Sequence, residues 1–121
     1  MRKISLVTGG AGFIGSNLVD LLIKKKHKVI VLDNFSTGRR SNLYGHSKEN
    51  LKIFNVDISK NINLDKYFSG VHYVFHLAGL ADIVPSIENP KKYFQANVVG
   101  TFNVLKSSKK AEVKKFIYAA S

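Results

Sequence analysis

Cysteine is missing from all 121 residues. That absence excludes disulfides, thiolate catalysis and zinc–thiolate sites together, and no metal site is expected. Long apolar runs are missing too, none approaching the ~18–20 residues of a membrane span. Met1-Arg2-Lys3 leads into only a short apolar run and then into glycines, so it reads as the start of a strand rather than a signal peptide. A soluble, cytoplasmic protein is expected. Acids are scarce, with 8 Asp and Glu against 19 Lys and Arg, for a net charge of +11. Such an excess can be the footprint of a nucleic-acid binder. Here lysine dominates, is spread along the chain and forms no cluster with arginine and aromatics. The reading favoured is therefore a lysine-rich solvated surface, whose field would also suit an anionic cofactor. Repeats, low-complexity tracts and linkers are absent as well. With 45% hydrophobic residues the chain can bury a core, and it reads as one domain or part of one.

What is present begins at Ile4-Ser-Leu-Val-Thr-Gly-Gly-Ala-Gly-Phe-Ile-Gly15. A short apolar run meets a cluster of glycines, and a helical pattern follows at Ile14, Leu18, Leu21 and Leu22. Strand, glycine turn and helix are the context of a dinucleotide-binding loop. Gly9 allows a sharp turn, Gly12 a close approach of backbone to a pyrophosphate, and Gly15 tight packing of helix on strand. The unpaired N–H groups and positive end of the helix suit phosphates. Spacing alone fits both Gly10-x-Gly12-x-x-Gly15 and Gly9-x-x-Gly12-x-x-Gly15. The next strand, Lys28 to Asp33, is apolar almost throughout, as in a parallel sheet covered on both faces. It ends in a carboxylate eighteen positions beyond Gly15, where the fingerprint expects an acid for the adenosine ribose.

The first helix is expected over residues 12–25, ended by a lysine run. No glycine closes it, so Lys26 or His27 must take the left-handed cap. Residues 34–50 have loop composition. Further strands are expected over 51–57, 71–77 and 115–121, a short helix over 63–68, a turn-rich stretch over 85–90, and a long helix carrying Tyr93, Phe94, Asn97, Val98, Phe102 and Leu105 that ends near Lys109 or Lys110. Strands alternating with helices imply an α/β fold, a Rossmann-like doubly wound parallel sheet of about five strands.

Five segments then carry a resemblance: Thr8-Gly-Gly-Ala-Gly-Phe-Ile-Gly15, Asp33-Asn-Phe-Ser-Thr-Gly-Arg-Arg40, Asp57-Ile58, His76-Leu-Ala-Gly79 and Asn97-Val-Val-Gly-Thr101. In order and in spacing the chain resembles the extended short-chain dehydrogenase/reductase family. Within it the NAD-dependent nucleotide-sugar epimerases and dehydratases are most similar, above all the UDP-hexose 4-epimerases. The resemblance implies a pyrophosphate loop of Gly9, Gly12, Phe13, Ile14 and Gly15. It implies Asp33 and Asn34 on the adenosine ribose, with Ser36, Thr37 and Gly38 beside them, and Asp57 and Ile58 bordering the adenine. Leu77, Ala78, Gly79 and Ala81 would line the nicotinamide side, supported by Asn97. The acid at Asp33 favours NAD over NADP, although Arg39 and Arg40 could pair with an added phosphate.

In that family a Ser or Thr acts with a Tyr-x-x-x-Lys pair, the lysine lowering the tyrosine's pKa. Ser121 aligns with the serine and is the last residue, and Tyr44…Lys48, the one match to the spacing, falls in the polar loop. The chain is thus expected to be the NAD-binding Rossmann domain (1–121) of a longer enzyme, with the substrate domain absent and no turnover of its own. The parent would be a nucleotide-sugar 4-epimerase working on a UDP-sugar, or a dehydratase or decarboxylase of the same family. A non-catalytic NAD-binding or interaction module is the alternative of another class, and a nucleic-acid binder a third. The helix around Tyr93–Lys110 is the expected dimer face.

Overall fold

The computed structural model describes residues 2–60, 63–79 and 83–119. Among the described residues the strands are β1 (Ile4–Thr8), β2 (Lys28–Asp33), β3 (Leu51–Asn55), β4 (Tyr73–His76) and β5 (Lys115–Tyr118). All neighbouring pairs are parallel, in the order β3-β2-β1-β4-β5. From β1 the chain therefore adds strands first to one side and then to the other. The crevice at the carboxyl ends of β1 and β4 is the switch point of the sheet.

Alternation along the strands feeds two cores. Leu6, Leu32 and Val74 pack on one face with Phe68 and Val104, while Val7, Val29 and Val31 pack on the other with Val19, Leu22 and Leu43. The first face is covered by α2 (Asp65–Phe68) and α5 (Gly100–Lys110), the second by α1 (Phe13–Lys24) and a 3-10 turn over Arg40–Leu43. Sealing both faces explains why β2 is apolar almost throughout. Burial of Val19 and Leu22 fixes α1, each contributing about 1.5–3 kcal/mol.

Helix α1 ends in a six-residue cap. His27 N donates to Leu22 O at 3.0 Å and Lys26 N to Ile23 O at 2.9 Å, with Lys26 at φ +71°. Lysine thus occupies the left-handed position that glycine adopts without strain. The side chain of Arg2 holds the cap in place, donating to Lys26 O at 3.0 Å, His27 O at 3.3 Å and Asn50 Oδ1 at 2.8 Å.

Residues 85–90, expected to be a turn-rich stretch, are helical for the most part. Helix α3 spans Ile83–Glu88 and α4 spans Pro90–Phe94. The two prolines mislead because each falls in the first turn of a helix, where no amide partner is lost. Asn89 separates the helices and caps α4, its Oδ1 accepting from Lys92 N at 3.2 Å. The long helix that follows is not uniform either. A π-helical segment, Gln95–Val99, joins α4 to α5. Among the described residues no helix is long and apolar enough to cross a membrane.

Candidate cofactor site

A cavity of about 530 Å³ opens at the carboxyl ends of the strands. It is built from the loops after β1, β2, β3 and β4 together with the α4–π segment. Gly9, Gly12, Asp33, Asn34, Ser36, Thr37, Asp57, Ile58, Leu77, Ala78 and Gly79 all line it. Motif residues from Gly9 to Gly79, far apart in the sequence, are thus gathered around one space of ligand size.

The glycine loop has a separate reason at each position. Gly9 turns at φ +70°, and a Cβ there would meet Ala78 N at 2.8 Å. A Cβ on Gly10 would meet Val31 Cγ2 at 2.6 Å, so Gly10 serves packing. One on Gly15 would strike Gly9 O and lie 2.8 Å from Gly10 Cα, so its bareness seats α1 on the turn. Gly12 differs, since a Cβ there would meet only Gly9 O, at 3.4 Å. The space before Gly12 is open, and Gly12 is the N-cap of α1 with no side-chain cap from the described residues. The helix start therefore presents amides to the cavity at its positive end, with no acid in its first turn. The positive φ falls on Gly9, the first glycine of the Gly9-x-x-Gly12-x-x-Gly15 spacing.

Asp33 is 8% exposed and does two jobs. Its Oδ2 accepts from Ala11 N at 2.9 Å and its Oδ1 from Phe35 N at 2.8 Å. Each carboxylate oxygen retains a lone pair for a ligand hydroxyl. The loop beyond is drawn in by Ala11 O, which accepts from Arg39 N at 3.1 Å and Asn42 Nδ2 at 2.8 Å. Gly38 belongs to this closure, since a Cβ on it would lie 2.9 Å from Ala11 Cβ. Arg40 is turned onto the Phe35 ring, 4.3 Å from its centroid.

Asp57 forms a local turn, its Oδ1 accepting from Ser59 N at 3.0 Å and Ser59 Oγ at 2.6 Å. Desolvation raises its pKa, but the bonds from Ser59, the charge of Lys60 and a bond from Asn34 together outweigh that and hold it below the usual carboxylate value. Ile58 is buried beneath Gly100, whose Cβ would sit 3.0 Å from Ile58 Cγ1.

Other expected residues stand apart from the cavity wall. Phe13 and Ile14 are 82% and 70% exposed and lie outside the cavity lining. Asn97 sits beside Gly79, whose Cβ would be 3.1 Å from Asn97 Oδ1, while its neighbours Gln95 and Ala96 line the cavity. Ala81 and Ser121 lie outside the described residues. The wall also contains Ser59, Lys60, Asn89, Lys91 and Lys92, which the motifs did not single out. The three lysines give the wall the positive charge that phosphates require.

The family model of the NAD dependent epimerase/dehydratase family matches residues 5–121. The chain belongs to this family. A protein of Methanocaldococcus jannaschii with a provisional UDP-glucose 4-epimerase assignment is 40% identical over 96% of this chain and 37% of its own length. UDP-glucuronic acid decarboxylase 1 of Danio rerio is 37% identical over 99% of this chain and 28% of its own. Among solved structures, the UDP-N-acetylglucosamine 4-epimerase of Methanobrevibacter ruminantium, in complex with UDP-N-acetylmuramic acid, superposes with a TM-score of 0.92. It is 39% identical, over 99% of this chain and 38% of that one. The chain thus spans about a third of the length of the relatives it matches. NAD is the family's cofactor, and the residues fit it: an open cradle at Gly12, a free helix start, and an acid at the end of β2.

Proposed function

We propose that this chain is the NAD-binding part of a nucleotide-sugar 4-epimerase acting on a UDP-sugar. The observation that carries the reading is the open space before Gly12 at the start of α1, flanked by Asp33. NAD would supply a reversible hydride acceptor for the sugar's C4. The chain's own residues bind and orient it. The Gly9–Gly12 turn and α1 hold the pyrophosphate, Asp33 and Asn34 the adenosine ribose, and Asp57 and Ile58 the adenine. Leu77, Ala78 and Gly79 wall the nicotinamide half. Phe13, Ile14 and Gly15 contribute through their amides, Ser36, Thr37 and Gly38 through the loop over the ribose, and Asn97 by supporting Gly79.

Asp33 supports NAD over NADP, because a second anion would face its carboxylate, and Arg40 is engaged by Phe35. Decarboxylation of a UDP-sugar acid is the second reading, favoured by the Danio rerio relative. A cytoplasmic location and a homodimer through the helix around Tyr93–Lys110 belong to the same proposal. Phe94, Val98, Phe102 and Leu105, all exposed and three or four residues apart, support the dimer.

Gly12→Val is the direct test. The substitution meets only Gly9 O in the protein itself yet puts branched carbons into the cradle. The fold should survive, and NAD affinity should fall about 10- to 100-fold, a steric cost of roughly 1–3 kcal/mol. Calorimetric titration with NAD reads this, and undiminished binding would remove the loop from the site.

A further inference from the structure

Resting on the cofactor reading above, we infer that His76 is a positioning residue. With Thr8 and Thr101 it forms a one-way hydrogen-bond chain that joins the 77–79 loop to the π segment as one wall, and so sets the affinity for the nicotinamide half of the dinucleotide.

The direction of the chain follows from counting donors. Thr8 Oγ1 accepts from Leu77 N and from Ala78 N, both at 3.1 Å. Its own hydrogen is then left for His76 Nδ1, 2.7 Å away. At the other end Thr101 Oγ1 donates to Asn97 O at 2.6 Å. It can therefore only accept from His76 Nε2, 2.8 Å away. Both ends demand the same neutral imidazole, with its hydrogen on Nε2 and a lone pair on Nδ1. His76 is 1% exposed and stacks on Tyr118 with centroids 5.6 Å apart, so its ring has no room to turn over.

This chain runs from two backbone amides of the 77–79 loop to a backbone carbonyl in the middle of the π segment. Leu77, Ala78 and Gly79 line the cavity from one side of that join, Gln95 and Ala96 from the other. Asp33 stands at the end of β2 and the glycine loop at the end of β1. A dinucleotide with its adenosine at Asp33 and its pyrophosphate on the loop must place its other half over β4, which carries His76. π-Helical turns inside helices are frequent at functional sites, and here Thr101 ties one to the strand that faces the ligand.

The test compares NAD with ADP, which lacks the half over β4, by calorimetric titration of the chain and of Thr101→Val and Thr101→Ser. The unsubstituted chain should bind both. Thr101→Val, which removes both hydrogen bonds of the hydroxyl, should weaken NAD about tenfold and leave ADP within about twofold; Thr101→Ser should restore NAD. Equal losses for NAD and ADP, as general loosening gives, or no loss for either, would overturn the positioning role. Nitrogen-15 NMR of His76 in the unsubstituted chain supplies a second readout that holds even if Thr101→Val fails to fold: hydrogen on Nε2 is expected, and hydrogen on Nδ1 overturns the proposal. Binding of neither ligand by the unsubstituted chain would instead remove the cofactor reading itself.

Discussion

At the scale of single residues, Asp33 shows how one carboxylate at the cavity ties two loops together. Its two oxygens hold the amides of Ala11 and Phe35, one from the glycine loop and one from the loop after β2. Removing the carboxylate as Asp33→Ala strands both amides in a largely buried place. A stability loss of about 1.5–3 kcal/mol is expected, the range for hydrogen bonds to a charged group, read as a lower urea midpoint. The preference for NAD over NADP should narrow in the same variant, since the repulsion of a second phosphate goes with the charge. A preference left unchanged would show that Asp33 organises the loop only. The acid was legible in the sequence from its distance beyond Gly15. Its service to Ala11 was not, because a bond to the backbone of a residue 22 positions earlier leaves no mark on residue type. The glycines were more readable, since Gly9 and Gly15 are each dictated by backbone lying within contact distance. Spacing could not rank Gly10 among them, because its neighbour is a Val31 side chain brought in by the sheet.

At the scale of elements, continuous apolar runs located the strands, and β2 matches its expected span because both of its faces are covered. Helices α3 and α4 were hidden by prolines that sit in first turns. The π segment was hidden as well, because apolar residues at 94, 98 and 102 fit a helix whether or not one turn is widened. The Thr8–His76–Thr101 connection spans 68 and 25 positions, and only the strand order brings its members together. Burial lowers the pKa of His76 to about 4 from an ordinary 6.5. As pH falls below 6.5 the unfolded chain takes up a proton there that the folded chain refuses until about pH 4. Stability from this group is therefore complete above pH 6.5 and is lost as pH falls toward 4, by about 3 kcal/mol in all. Urea midpoints measured across that window should decline, and His76→Gln, which cannot titrate, should remove this part of the slope. An equal decline in the variant would assign the acid sensitivity to other groups.

At the scale of the whole molecule, a basic surface and an apolar helix face act against each other. The charge of +11 makes copies repel, while Phe94, Val98, Phe102 and Leu105 offer a strip that water disfavours. Self-association should consequently strengthen as salt screens the repulsion, the reverse of an interface built on ion pairs. Phe102, 63% exposed, is the member to change. Phe102→Lys should keep the chain monomeric in sedimentation at salt concentrations where the unsubstituted chain associates, with thermal stability little altered. If both associate alike, the contact lies elsewhere on the surface.

The hydrogen-bond chain through His76 also bears on how this part of the molecule can change over generations. It starts at backbone amides and finishes at a backbone carbonyl, so its polarity is set by atoms that every residue but proline supplies. A newcomer at position 8 must accept twice and donate once; one at position 101 must accept from the ring and pass a hydrogen on. Replacing the imidazole by a side chain with the opposite order of donor and acceptor would set like against like at both hydroxyls. Positions 8, 76 and 101 are accordingly coupled: a replacement that keeps each donor and acceptor, such as serine for threonine, can stand alone, and one that reverses them must be matched at its neighbours.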